Sequence, residues 1–331
     1  MPMMAAEGPY FEELVVGQEF GGAPGVTLTG GLAAARQAII GDRLPLALDH
    51  ALCREVTGGG PMPSPGLIWD VAIGQSTVVT QHVKANLFYR GLAFRRLPLL
   101  GDTLRTATQV VALRQNRPRE GRAPTGLAAL RITTTDQDGR PVLDFWRCAM
   151  LPLRDESVRT GHSDDLDAVG MRAAPADYES LIAGWRLDAF AARHDGPGPA
   201  DLKPGMSFEV AGGDVVSSAP ELARLSVNVA AVHHDAAAAG GQRLVYGGHT
   251  IGLALAQAAR ALPSLVTVAG WHGCDHLGPV HEGDTLRSTV CVERAEYLPS
   301  GGGLVHLRSV VRADGEPPRD VLDWRYVAVV A

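Results

Sequence analysis

Two sets of alternating apolar and polar positions run along the chain, and each set reads as strands. The first is LRTATQVVALR (104–114), LAALRITTTD (127–136) and VLDFWRCAML (142–151). The second is LRSTVCVERAEYL (286–298), LVHLRSVVRAD (304–314) and VLDWRYVAVV (321–330). A period of two places one face of each segment against a core. GDT turns and the DGR and ADGE segments punctuate them as hairpins. Ahead of each set the period lengthens to that of a helix. Short amphipathic stretches are predicted at 32–40 and 220–227, and longer helices that open at glycine at 66–77 and 248–262. One long helix with a run of antiparallel strands per unit is an α+β design, the sheet covering the helix's apolar face.

The two sets are copies of one unit. GDTLRT (101–106) returns as GDTLRS (283–288), and VLDFWR (142–147) as VLDWRY (321–326). The separations agree: Gly101 to Val142 is 41 positions and Gly283 to Val321 is 38. VGQEF (16–20) precedes the first copy and PGMSF (204–208) the second. The expected organisation is an N-terminal unit at 1–152, a connector at 153–198 and a C-terminal unit at 199–331. Within the connector, DYESLIAGWRLDAFAARH has helical periodicity between polar Gly/Pro-bearing ends, so it is expected to pack along the surface.

With 46% apolar and 20% charged residues, the chain has the profile of a soluble globular protein. No segment approaches the roughly 18 apolar residues of a membrane span. MPMMAAEGPYFEEL lacks the basic start and apolar core of a secretion signal. A net charge of −6 offers no reason to propose nucleic acid or an anionic membrane as partner. Cys53, Cys148, Cys274 and Cys291 are widely spaced, which fits a reducing cytoplasm better than a disulfide framework or a structural zinc site.

Candidate chemistry concentrates in the second copy, in NVAAVHHDAAAAGGQRLVYGGHTIGLALA (228–256). Six of the eleven histidines fall within 233–281, namely His233, His234, His249, His272, His276 and His281. The equivalent stretch of the first copy is histidine-poor, as if one half kept a site that the other lost.

This pattern resembles the hydratase-2 motif of MaoC-like (R)-specific enoyl-CoA hydratases: an Asp, then Asn-Pro-Leu-His, then an Asp two residues later. It continues to a glycine opening the central helix and a Pro-Val-x-x-Gly-Asp-Thr-Leu segment. Those positions are Asn228, His233, Asp235, Gly248 and PVHEGDTL (279–286) here. The resemblance covers 9–152 and 199–331. VYGGHTIGLA and VALRQN (111–116) look most like the two-domain mesaconyl-CoA hydratases and double hot-dog proteins of mycobacteria. It implies a double hot-dog fold and a hydratase or dehydratase of fatty-acid metabolism, acting on a short or methyl-branched acyl-CoA. No metal or cofactor is implied, coenzyme A entering as part of the substrate. His233 would be the acid/base group, Asn228 would help hold the attacking water, and the Gly248 N–H would bind the thioester carbonyl. Asp235, Tyr246, Gly247, His249 and His276 would contact the substrate. A homodimer of the fused chain is compatible with the family.

The chain departs from the family at Asn228, where the usual acid/base Asp is replaced. An amide orients water but takes no proton, so His233 acts alone or borrows a carboxylate, with Asp235 and then Asp275 as candidates. The first copy has Asp42 and Asp49 at the acidic positions but Ala47 where the histidine belongs. It is read as a pocket wall, with Asp42 in a loop or capping role. His233 could be structural, and a metal on His233, His234 and Asp235 is disfavoured because adjacent residues rarely aim at one ion. Asp235 could be a loop acceptor, His249 a helix cap, and His276 with Asp275 a strand end. Arg114, Arg117, Arg119 and Arg122 could hold coenzyme A phosphates but read more readily as a solvated hairpin. The GGG runs at 58–60 and 301–303 lack a dinucleotide-binding context and read as loops. Two other functions stay open: a hot-dog thioesterase, and a non-catalytic acyl-CoA-binding protein.

Overall fold

The fold was analysed in a computed structural model that describes residues 7–171, 176–299 and 301–331. The first six residues, on which the reading of the N-terminus partly rests, lie outside that set. Each copy supplies four long strands, β1 (Ala85–Phe94), β2 (Thr103–Gln115), β3 (Thr125–Thr135) and β4 (Pro141–Pro152), then β5 (Leu265–His276), β6 (Thr285–Tyr297), β7 (Gly303–Ala313) and β8 (Arg319–Val330). They form one antiparallel sheet in the order β2-β3-β4-β1-β5-β8-β7-β6, so the second half mirrors the first. Short strands at Glu19–Phe20 and Ser207–Glu209 add to β2 and β6 at the two edges.

The seam is the pairing of β1 with β5, with Phe88 opposite Asp275 and Tyr89 opposite Cys274. These two strands are absent from the sequence-based expectation. β5 carries an unbroken buried run from Leu265 to Trp271, and β1 is interrupted by Gly91, so neither shows the alternation that marks a half-exposed strand.

A central helix lies on the sheet in each half, and the three used below are α1 (Gly30–Ile40), α2 (Pro65–Gln75) and α3 (Gly247–Ala261). Every residue of α2 is buried, which explains why it has no polar face. Its start is set by Ser64, whose hydroxyl accepts from Gly66 N–H, and by Pro65 in the first turn. The copies repeat even in their buried polar contacts. Gln75 of α2 donates to the Leu104 carbonyl and Gln257 of α3 to the Leu286 carbonyl, both at 2.9 Å. Trp69 of α2 meets Trp271 and Trp324 at ring separations of 4.9 and 6.1 Å, packing the core across the seam.

In the connector, helices form at Tyr178–Leu181 and Leu187–Ala191. Ile182, Leu187 and Phe190 are buried against Val327 and Val329 of β8. No helix among the described residues is long and apolar enough to cross a membrane. Arg117, Arg119 and Arg122 stand exposed between β2 and β3, as a solvated hairpin loop.

Candidate active site

The loop holding Asn228 is docked on the first copy. Gly74 of α2 lies so close to the Ser226 carbonyl that any side chain there would collide with it. Thr77, in the turn after α2, accepts from Val229 N–H at 2.9 Å, and Ala231 N–H donates to the Gln81 carbonyl. Val227, one residue before Asn228, has φ +55°, a conformation that costs a β-branched residue about 1–3 kcal/mol. Gly41 takes the same conformation before Asp42 in the first copy, at φ +65°.

Asn228 is buried, and its Oδ1 accepts from Ala230 N–H at 2.9 Å. That bond fixes the amide so that Nδ2 is the group left for the cavity. His234 donates from Nε2 to the Asn228 carbonyl at 2.7 Å and closes the loop. The His233 ring is held the same way: Nδ1 lies 2.8 Å from the Leu244 carbonyl. A carbonyl only accepts, so Nδ1 carries the proton and Nε2 keeps its lone pair. Burial pushes the imidazole down to about 4, against the pull of that carbonyl, so it is neutral near pH 7.

These side chains line a cavity of about 340 Å³. The second copy contributes Asn228, His233, Tyr246, Gly247, Thr250 and His276, and the first contributes Ile73, Thr77, Tyr89 and Arg147. Tyr246 packs edge-on to His233, with ring centroids 5.8 Å apart. His276, pushed down to about 4 by burial and then by nearby His233, covers the start of α3. A Cβ at Gly247 would sit 2.5 Å from its Cε1 and Nε2. Gly247→Ala therefore forces His276 out of place. Activity is expected to fall at least tenfold, with a stability loss of about 1–3 kcal/mol, read from steady-state rates beside thermal melting.

Four expectations about individual residues are corrected. At the helix start the cavity surface belongs to Gly247, while Gly248 lies behind it against Asp70 and Tyr246. As the first residues of α3, both carry N–H groups with no acceptor inside the helix. Asp235 is exposed and does not line the cavity; its Oδ1 accepts from Ala237 N–H at 2.9 Å as a turn residue. His249 is wholly buried away from the cavity, pushed down to about 4 by burial and by the Arg36 charge. Asp275 opposes Phe88 on β1 and Asp323 on β8 and is not among the lining residues, so it lends His233 no carboxylate.

Asp42 lies in a loop, its Oδ1 accepting from Leu44 N–H at 3.0 Å, but its role is larger than a loop or capping residue's. It is buried, takes a hydrogen bond from Ser64 and pairs with Arg36 at 3.0 Å. The Arg36 guanidinium reaches Asp70 as well, at 2.8 Å, and lies directly on Gly66, the counterpart of Gly248. Pro65 stands where Gly247 stands in the second copy and has no N–H to offer. The first-copy site is thus closed by a cation and lacks a donor. Arg147, Thr77 and Tyr89 were not singled out from sequence. For Arg147 one signal exists: the repeat places Tyr326 at its position in the second copy. No group of three or more His, Cys, Asp or Glu is placed to hold a metal among the described residues.

The architecture and site define the class: two fused hot-dog units sharing one sheet, with a histidine-bearing cavity between them. No family model matches the chain. A solved structure that it resembles is Rv0216 of Mycobacterium tuberculosis, a conserved hypothetical protein described as a double hot-dog. The two are 53% identical, with a TM-score of 0.92 over 98% of this chain and 99% of that one. The chain belongs with that protein among the double hot-dog proteins. It is also 26% identical to a mesaconyl-CoA hydratase of Cereibacter sphaeroides, over 96% of this chain and 92% of that protein. A beta-methylmalyl-CoA dehydratase of Chloroflexus aurantiacus is 27% identical, over 93% and 89%.

Proposed function

We propose that the chain is an enoyl-CoA hydratase or 3-hydroxyacyl-CoA dehydratase, adding water reversibly to the 2-enoyl thioester of a short or methyl-branched acyl group. The observation that carries this reading is the His233 ring, held by the Leu244 carbonyl so that a free Nε2 lone pair serves the cavity. In the hydration direction Asn228 Nδ2 donates to the water oxygen, and His233 Nε2 takes a water proton as the oxygen bonds to C3. The electron pair of the double bond moves toward the thioester oxygen. The N–H groups opening α3 and the dipole behind them stabilise that charge. Burial disfavours the imidazolium, which returns its proton to C2 and completes the addition. Loss of the OH and the C2 proton runs the same steps backwards.

The acyl-CoA is the proposed partner, and the cavity draws on both copies, so one chain suffices for the site. A homodimer of the fused chain and a cytoplasmic location complete the proposal; the four free cysteines, three of them buried, suit a reducing compartment. The test follows ultraviolet absorbance of the conjugated thioester with crotonyl-CoA, mesaconyl-CoA and a longer enoyl-CoA. Loss of absorbance without free thiol is expected. Free thiol would make the chain a thioesterase, and binding without either change would make it an acyl-CoA-binding protein.

A further inference from the structure

Water addition as described uses His233 and Asn228 and leaves a second imidazole of the cavity without a part. His276 is the last residue of β5 and lines the same cavity as His233. Its neighbours fix the ring. Tyr89 packs edge-on to it with centroids 5.9 Å apart. The Cε1–Nε2 edge lies on Gly247, where a Cβ would come within 2.5 Å of both atoms. Nε2 is enclosed there and has no hydrogen-bond partner among the described residues.

An imidazole always carries at least one N–H, and the surroundings decide which nitrogen holds it. On Nε2 the proton would make an enclosed donor with no acceptor, at a cost of about 1–3 kcal/mol. An enclosed lone pair without a donor is the commoner and lesser fault. Nδ1 therefore holds the proton and presents it to the cavity that the ring lines. Burial keeps the ring from taking a second proton, and nearby His233 adds to that effect. The cavity thus has two neutral rings of complementary kind, His233 with a lone pair and His276 with an N–H. Because the ring lies on Gly247, that N–H stands beside the opening turn of α3, whose backbone N–H groups have no acceptor inside the helix.

The repeat ties this ring to the site and not to the fold. β1 ends at Phe94, which pairs with Leu143 of β4, and β5 ends at His276, which pairs with Leu322 of β8. Leu143 and Leu322 are the same position of the VLD repeat, so Phe94 is the counterpart of His276. Phe94 is buried against Trp69 as core. The copy whose site is closed has a ring with nothing to donate.

We infer that His276 is a catalytic residue, donating its Nδ1–H to the thioester carbonyl oxygen alongside the N–H groups that open α3. The inference rests on the acyl-CoA reading of the cavity and gives it a side-chain donor for the charge that water addition creates. No proton leaves the ring. As the electron pair of the double bond moves onto the oxygen, the hydrogen bond strengthens, and His233 remains the group that takes and returns the water proton.

Two variants of similar size separate a donor from a wall. H276N places an amide N–H as many bonds from the backbone as Nδ1 is, and H276L offers none. For the preferred enoyl-CoA, H276L is expected to lower kcat about 100-fold with KM within about threefold, and H276N to recover most of that loss. A second readout needs no turnover. Butyryl-CoA and isobutyryl-CoA are saturated and bind without reacting. Labelled with carbon-13 at the thioester carbonyl, each gives a resonance that moves downfield as the oxygen accepts hydrogen bonds. The bound resonance should lie further downfield in the wild type and H276N than in H276L. Only folded protein holds the ligand, so a lower folded fraction leaves that position unchanged. No loss of kcat in H276L, equal losses in both variants, or one resonance position for the wild type and H276L overturns the inference. A position that depends on His276, without turnover of crotonyl-CoA or mesaconyl-CoA, would leave the donor standing and sink the hydratase reading. Binding of neither labelled thioester would sink both.

Discussion

His233→Ala is expected to lower kcat/KM for the preferred enoyl-CoA by about 10²–10⁴-fold, the usual contribution of a positioned general base. His233→Gln separates the two things the ring does. The glutamine amide can still donate to the Leu244 carbonyl, but it has no lone pair able to take a proton. Equal losses in both variants assign proton transfer to the ring; recovery in the glutamine variant would reduce His233 to a positioning residue. The acid limb of the rate supplies a second readout. With the imidazole pushed down to about 4, the base stays unprotonated through the neutral range, and kcat/KM should hold until the pH approaches that value. A limb near the free-histidine value of about 6.5 would contradict the burial argument.

The same shifts set how stability responds to acid, and the sign follows from proton counting. His233, His249 and His276 are each pushed down to about 4, so all three are neutral in the folded chain above that pH. Unfolded histidines take up protons from about pH 6.5 downward. Across the window from about 6.5 to 4 the unfolded state binds more protons, and stability falls as the pH falls. Acid-limb rates therefore need short assays after a pH jump, so that loss of fold is not counted as loss of the base.

Much of this was legible in the sequence because it depends on local period and on repetition. The GDTL and VLD repeats placed six strands, and the glycine-opened stretches placed both central helices within a residue or two. Asn228, His233, Tyr246, Gly247 and His276, proposed from the family motif, do converge on one cavity. Motif spacing could not say which way side chains turn from the first residues of a helix, and His249, three places into the run from Tyr246, turns the other way. Nor could it reveal contributions across the seam. Arg147, Thr77 and Tyr89 reach the cavity because β1 pairs with β5 and because Gly74 lets the Ser226 carbonyl approach α2. Both are facts of tertiary packing with no short-range signature.

Arg36→Met is expected to be the most destabilising single change away from the cavity, at about 3–5 kcal/mol, because it strands two buried carboxylates. Asp70 is pushed up to about 6 by burial even with the guanidinium beside it. Without Arg36 its carboxyl rises further and prefers to be protonated in the folded chain, whereas in the unfolded chain it ionises near pH 4. The folded variant then binds more protons above that pH, so its deficit should grow as the pH rises from 5 to 8. Denaturant melts at the two pH values check this, and a deficit independent of pH would mean that lost packing dominates. Removing the acids as well, in R36M/D42N/D70N, should recover most of the loss, since a buried network is costly chiefly when half of it remains. The triple variant should gain no second active site, for Ala47 stands in the histidine's place and Pro65 has no N–H to give. In the first copy the position matching Asn228 holds an acid that a cation neutralises for the sake of the core. In the second, the amide leaves His233 neutral and the cavity open.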